Sequence, residues 1–231
     1  EYIVKTIVTT ETIRTIAEAQ HIKMYDCFTG FKWIANVMRE NEGKARYLGG
    51  GEESYGFLAE DFVRDKDSVS AISLMAEIAA WAKDKGLNMT DMLIDIYMKY
   101  GFSREKGISL VRKGKSGAEE IIALMKQFRE NPPKEIAGSP VVTVKDFQSL
   151  VETNVATGET KKLDMPATSN VLQYYTADRT KVSVRPSGTE PKIKFYIEVH
   201  DTLASADEYK ATEARADEKI DRIAKEFGIT K

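Results

Sequence analysis

The hydrophobic periodicity changes once along this chain, and that change limits the possible folds more than any other feature. Residues 2–8, YIVKTIV, read as a buried strand, and TTETIRTIAEAQ follows with Ile13, Ile16 and Ala17 on one helical face behind a Thr10 cap. KMYDCF is a second short strand. FKWIANVMRE is a second helix, with Phe31, Ile34 and Met38 at helical spacing, and ARYLGGG is a strand running into a glycine loop. SVSAISLMAEIAAWAKDK then forms a long helix with Val69, Ile72, Met75, Ile78 and Ala82 in register, ended by Gly86. Strands alternating with helices predict an α/β domain with a mainly parallel mixed sheet.

The second half reads differently. GISLVRKG is a strand, and a capping box from Ser116 to Glu119 opens a helix that Pro132 and Pro133 stop. PVVTVKDF, SNVLQYYT, KVSVR and KIKFYIEV are strands, and a last helix opens on a second box, Ser205 to Glu208, and runs to Phe227. This is an α+β domain with an antiparallel sheet. The pattern changes within GFSREK, which puts the domains at 1–104 and 105–231. The first strand begins almost at the first residue, as expected of a piece of a longer protein.

Composition narrows the function. With 42% hydrophobic and 30% charged residues, the 231-residue chain can bury a core. A net charge of −2 gives no global attraction for nucleic acid or an anionic membrane, so any anion site must be local. The single cysteine, Cys27, reads as a core thiol and excludes an internal disulfide. No apolar run reaches the roughly 18 residues of a membrane span, and the cytoplasm is the expected compartment. Asn88-Met89-Thr90 matches a glycosylation triplet, which carries little weight without a secretion signal.

Two loops carry chemistry. In KVSVRPSGTEPKIKFYIEV, two half-buried strands flank RPSGTEP, a connection too long and too polar for a simple hairpin turn. The Arg185 guanidinium, the Ser187 and Thr189 hydroxyls and the backbone around Gly188 suit a phosphate, with Lys192 and Lys194 adding positive potential. The bland alternative is a Ser-Gly turn beside an exposed arginine. In GGGEESYGFL, at 49–58, Glu52 and Glu53 would repel phosphate but can accept from neighbouring sugar hydroxyls, helped by Ser54. The glycines would let a bulky ring approach. A magnesium site and a plain capped turn are the competing readings of that loop. A ligand that satisfies both loops is a sugar phosphate.

These residues also carry a resemblance. GGGEESYGFL resembles the sugar-binding loop of the α-D-phosphohexomutases, in the form typical of phosphoglucomutases, and RPSGTEPKIKFYIEV resembles that family's C-terminal phosphate-binding loop. TGFKWIANVM at 29–38 and FVRDKDSVSA at 62–71 are similar to further family segments in the same order. The resemblance implies domains 3 and 4 of a four-domain phosphoglucomutase/phosphomannomutase, with domains 1 and 2 as missing partners. It implies interconversion of hexose 1-phosphate and hexose 6-phosphate through a phosphoserine and a hexose 1,6-bisphosphate. No phosphoserine loop and no magnesium loop stand in this sequence, so Mg2+ would be held outside it, and the chain alone is expected to bind without catalysing. By the same resemblance, Arg185, Ser187, Gly188 and Thr189 would hold the non-reacting phosphate, and Glu52 and Ser54 would contact O3 and O4 of the sugar. Lys32 would place a charge near the transferring phosphate or assist proton transfer, and Glu53, Arg64, Lys66, Asp67 and Lys192 would support the two loops. A non-enzymic sugar-phosphate-binding module is the alternative.

Other features read as structural: His21 and His200 as non-ligands, Trp33 and Trp81 as packing residues on helical faces. KGKS at 113–116 lacks the first glycine of a Walker loop.

Overall fold

The computed structural model describes residues 1–112, 114–188 and 190–230, the side chain of Lys115 excepted. The chain forms two compact units, Glu1–Phe102 with Leu203–Asp207, and Ser103–Thr202 with Glu208–Lys231.

Unit 1 runs β1 (Tyr2–Thr6), α1 (Thr12–Ala19), β2 (Lys23–Cys27), α2 (Phe31–Asn41), β3 (Tyr47–Glu52), β4 (Gly56–Ala59), α3 (Ser68–Asp84) and α4 (Met89–Tyr100). Its sheet has the order β2-β1-β3-β4. β1 lies parallel to both neighbours, and β4 closes an antiparallel hairpin with β3. The helical stripe on α2 is buried as its spacing demands, with Phe31, Ile34 and Met38 packed on Tyr2, Val4, Tyr47 and Leu58 of the sheet. Each such side chain contributes about 1.5–3 kcal/mol by leaving water.

Two helices depart from the sequence reading. On α3, Val69, Ile72, Met75 and Trp81 are 73, 69, 54 and 53% exposed, so the apolar stripe does not enter a core. Its Met75, Ile78 and Trp81 face Met89, Met92, Leu93 and Ile96 of α4 across a groove of about 580 Å³. α4 was not expected at all, although its signal stands in the sequence. Asn88 Oδ1 accepts from the Thr90 and Asp91 amides at 2.8 and 3.1 Å, and the Asp91 carboxylate accepts from the Asn88 amide at 2.8 Å. That reciprocal pair is a capping box. At α1 the cap position is Glu11 rather than Thr10, whose hydroxyl accepts from the Thr12 amide at 3.2 Å.

Unit 2 contains β5 (Phe102–Val111), α5 (Gly114–Glu130), β6 (Glu135–Ile136), β7 (Ser139–Asp146), β8 (Val151–Asn154), β9 (Thr160–Lys162), β10 (Leu172–Thr176), β11 (Lys181–Pro186), β12 (Lys192–Asp201) and α6 (Tyr209–Glu226). The antiparallel sheet has the order β5-β12-β11-β10-β7-β8-β9, with β6 on β7. Val182, Val184, Ile193, Phe195, Ile197 and Val199 are buried, but so are Lys181, Ser183, Tyr196 and Glu198 at the alternate positions, so the two strands expected to be half-buried are buried on both faces. Phe128, Phe195 and Phe227 cluster with ring centroids 5.5–6.0 Å apart. Neither expected capping box opens its helix. Gly114, at φ 74°, turns the chain so that α5 starts two residues before Ser116. A 3-10 turn, Ala206–Glu208, leads into α6, and Glu208 at φ −82°, ψ −5° is already helical where a box needs an extended cap residue.

On the polar side of the β11–β12 pair, Lys181 stands opposite Glu198, both almost fully buried, with Nζ 2.8 Å from Oε2. His200 Nε2 lies 3.2 Å from Oε1 of the same carboxylate. Burial pushes the Glu198 carboxyl up, but the charges of Lys181 and His200 outweigh it and hold the group at about 2, against 4.5 for an ordinary glutamate. As pH falls, the unfolded chain therefore takes up this proton first. The stabilisation is complete above pH 4.5 and is lost as pH falls through that value towards about 2. Urea melts between pH 6 and 2 are expected to show this loss in the wild type and not in Glu198→Gln. At neutral pH the variant should be less stable by about 3–5 kcal/mol, because Lys181 keeps its charge without its partner. An unchanged urea midpoint at pH 7 would refute the assignment.

Candidate functional site

Backbone contact explains the triple glycine. A Cβ on Gly50 would lie 2.3 Å from the Val4 carbonyl oxygen and 2.7 Å from the Tyr47 hydroxyl, and one on Gly51 would lie 2.5 Å from the Gly56 carbonyl oxygen. These two glycines are thus required by the packing of β3 on β1 and by the hairpin with β4, before any ligand is considered. The stretch expected as a loop is mostly strand, and only Glu53, Ser54 and Tyr55 form its turn. Tyr55, at φ 57°, projects wholly into solvent.

The hairpin turn sits at a defined place on the sheet. From β1 the chain leaves towards β2, and from β3 it leaves the opposite way, towards β4. Where two such exits diverge at the carboxyl ends of parallel strands, a crevice opens that α/β sheets use for ligands. Glu52 ends β3 at this point, and its Oε1 accepts from the Gly30 amide at 2.6 Å. Gly30 is the N-cap of α2, at φ 114°, so the half-buried carboxylate rests on the positive end of that helix. This bond also brings the 29–32 segment, with exposed Lys32 in the first turn of α2, to the 52–55 turn.

The neighbouring residues have separate partners. Thr6 Oγ1, at the end of β1, and Ser54 Oγ each donate to the Glu53 carboxylate at 3.4 Å. Thr6 also shares a 2.8 Å hydroxyl hydrogen bond with Thr9. Beneath them lies a buried charge network: Lys5 Nζ is 2.9 Å from Glu11 and 3.0 Å from Asp26, and Arg14 bonds both of those carboxylates. Two cations thus face two anions, the condition under which buried charge is tolerated. Lys66 Nζ lies 5.7 Å from the centre of the Phe31 ring, Arg64 pairs with Glu42 at 3.0 Å, and the Asp67 carboxylate caps α3 by accepting from the Val69 and Ser70 amides. Cys27 is buried nearby. Burial, with the charges of Asp26 and Glu52 adding, pushes its thiol up to about 12.

In unit 2, the RPSGTEP loop joins β11 to β12. Arg185 stands directly opposite Lys194 in the ladder, and Pro186 opposite Ile193. Like charges facing each other across a strand pair repel, and among the described residues no carboxylate forms an ion pair with either one. The loop closes on itself: the Ser187 amide donates to the Lys192 carbonyl at 2.7 Å, and the Glu190 amide donates to the Ser187 hydroxyl at 3.3 Å. Lys192 pairs with Glu190 at 2.7 Å, and Gly188 is exposed. Thr189 lies outside the described residues. Among the described residues, no three His, Cys, Asp or Glu side chains converge as metal ligands.

The sequence reading missed two contributors. The Gly30 amide lay inside a quoted motif, but its use depends on how α2 meets β3. Thr6 was hidden in an apolar strand.

Two measurements check this geometry. Gly50→Ala must push β3 away from Val4 and should cost about 1–3 kcal/mol or more in a urea melt. Gly107→Ala, with nothing within 4 Å of the added carbon, should be near neutral. At pH 8 the folded-state Cys27 should react with a disulfide reagent about a thousandfold more slowly than a free thiol, reflecting its lower thiolate fraction, and should recover that rate on unfolding.

Comparison with known proteins places the chain. Residues 1–100 match the model of phosphoglucomutase/phosphomannomutase alpha/beta/alpha domain III, and residues 124–216 match that of the C-terminal domain of phosphoglucomutase/phosphomannomutase. Curated phosphoglucomutases from Staphylococcus haemolyticus and Staphylococcus epidermidis are 34 and 35% identical over 198 and 193 residues, which is 86 and 84% of this chain. The chain spans about a third of the length of these relatives, 36 and 35%. In fold it is similar to the open form of parafusin, an exocytosis-sensitive phosphoprotein (phosphoglucomutase) from Paramecium. That likeness has a TM-score of 0.59 at 17% identity and covers 97% of this chain and 38% of the other. A phosphoglucomutase/phosphomannomutase family protein from Burkholderia thailandensis gives a TM-score of 0.50 at 16% identity over 98% of this chain and 38% of that one. The chain belongs to the phosphoglucomutase/phosphomannomutase family, of which it carries domain III and the C-terminal domain.

Proposed function

We propose that this chain is the substrate-binding part of a phosphohexomutase that interconverts hexose 1-phosphate and hexose 6-phosphate, and that its two loops hold the sugar and the phosphate that is not reacting. The observation that carries the reading is the opposition of Arg185 and Lys194 at the mouth of the RPSGTEP loop. Neither cation is in an ion pair with a carboxylate among the described residues, although Glu190 feels the charge of Lys194, and the guanidinium fork suits a phosphate. Ser187 and Gly188 stand next to it with a hydroxyl and a backbone amide. Thr189 belongs to the same proposed set.

Glu52 and Ser54 are assigned to the sugar, accepting from and exchanging hydrogen bonds with O3 and O4. Because Glu52 is held on the end of α2 by the Gly30 amide, its carboxylate is oriented before substrate arrives. Lys32 and Lys66 supply positive charge on the same side of unit 1, and Glu53 fixes the turn through Thr6. The phosphoryl group itself would come and go on a serine of the whole protein, through a hexose 1,6-bisphosphate. Magnesium, which the family implies, finds no ligand set among the described residues.

An amide NMR titration of this chain with glucose 1-phosphate, with glucose and inorganic phosphate as controls, tests the assignment. Shifts clustered at 185–188 and 51–56, seen together only with the sugar phosphate, are expected. Arg185→Ala should weaken binding about 10- to 100-fold, the equivalent of one charge-assisted hydrogen-bond site. Unperturbed binding in Arg185→Ala would overturn the phosphate assignment.

A further inference from the structure

We infer that Gly117, on α5 and outside the RPSGTEP loop, is a positioning residue for that loop and acts through the backbone of Arg112. The inference rests on the phosphate reading of the loop and names what holds it in shape. Within the loop the hydrogen bonds run between its own members, from Ser187 to Lys192 and from Glu190 to Ser187. Among the described residues, a bond at the edge of the β5–β12 pairing ties the loop to another part of unit 2. The Arg112 amide donates to the Pro191 carbonyl at 2.9 Å, at the point where the loop returns to β12.

Arg112 stands between the end of β5 and the start of α5, and its position is set from the helix side. A Cβ on Gly117 would lie 2.6 Å from the Arg112 carbonyl carbon and 2.7 Å from both its carbonyl oxygen and its Cβ. Two of those are backbone atoms and the third is the Cβ fixed to the backbone, none of which can swing aside as the end of a long side chain can. The bare Cα of Gly117 therefore lets the first turn of α5 close on the Arg112 peptide. The Arg112 side chain is held on the same helix by Glu120, with Nε 3.1 Å from Oε2. The chain of contact is thus Gly117, the Arg112 peptide, the Pro191 carbonyl, and the returning arm of the phosphate loop.

The test uses the 231-residue chain with glucose 1-phosphate and inorganic phosphate as probes. Gly117→Ala is expected to weaken binding of both at least tenfold and to broaden or shift the 185–188 amides in the free protein. Glu120→Gln breaks the Arg112–Glu120 ion pair without touching the contact chain and should bind within about twofold of the wild type. A purely structural role for Arg112 would not separate the two variants in this way. A second readout needs no variant. If the Arg112–Pro191 bond shapes the binding-competent loop, saturating glucose 1-phosphate must in turn slow hydrogen exchange at the Arg112 amide, by the reciprocity of coupled equilibria. That measurement decides the matter if Gly117→Ala does not fold. Wild-type-like affinity in a folded Gly117→Ala, or ligand-independent exchange at Arg112, overturns the inference and leaves the phosphate reading intact. A wild type whose 185–188 amides respond to neither probe overturns both.

Discussion

Unit 1 is organised around a place where no side chain fits. The Val4 carbonyl occupies the position that a Cβ on residue 50 would need, and the Tyr47 hydroxyl closes the remaining space. That hydroxyl in turn donates to the Leu58 carbonyl at 3.2 Å, which ties β4 to the start of β3. With β3 pressed on β1, its last residue, Glu52, arrives at the mouth of the sheet beside the amino end of α2. A half-buried carboxylate in that position is compensated by the helix rather than by a counter-ion. Gly50 and Gly51 are therefore the cause of the carboxylate's placement, which follows from strand packing.

Each unit also buries a lysine, and the two solve the resulting problem differently. Lys181 in unit 2 meets a single carboxylate across the strand pair, with His200 on its far side. Lys5 in unit 1 meets two carboxylates, which are shared with Arg14. Buried ion pairs rarely gain much stability over an apolar core of the same volume, so the interest of the Lys5 network lies in where it stands. It underlies the end of β1, from which Thr6 reaches Glu53. Polar groups that satisfy one another admit few alternative arrangements. An apolar filling would leave the Thr6 hydroxyl without that directional support.

The parts of the fold that follow local rules were legible in the sequence. The α2 stripe of Phe31, Ile34 and Met38 is buried as its period requires, and the alternating apolar residues of Val182–Val184 and Ile193–Val199 are buried together with Ser183, Tyr196 and Glu198 between them. Helix starts were less legible, because a box such as Ser116–Glu119 competes with the φ of a nearby glycine, and here Gly114 prevailed. The α3 stripe was legible as a stripe, but periodicity marks a face without saying what covers it, and only Ala82 of it is fully buried. At the candidate site, residue types pointed to the charged candidates, Glu52, Arg185 and Lys192. They did not reveal the backbone amides of Gly30 and Arg112, because any residue but proline carries one and only tertiary structure decides its target.

The uncovered face of α3 gives the chain an optical handle. Of its two tryptophans, Trp33 packs edge-on against Phe28 at 5.6 Å, while Trp81 is about half in water beside the groove with α4. Emission from the two rings should differ in wavelength and in access to a soluble quencher. Trp33 then reports on the end of unit 1 where Glu52 meets α2, and Trp81 on the opposite concern, the hydration of the α3–α4 groove. Selective quenching can therefore separate events at the candidate site from events on that apolar face without adding a label to the protein.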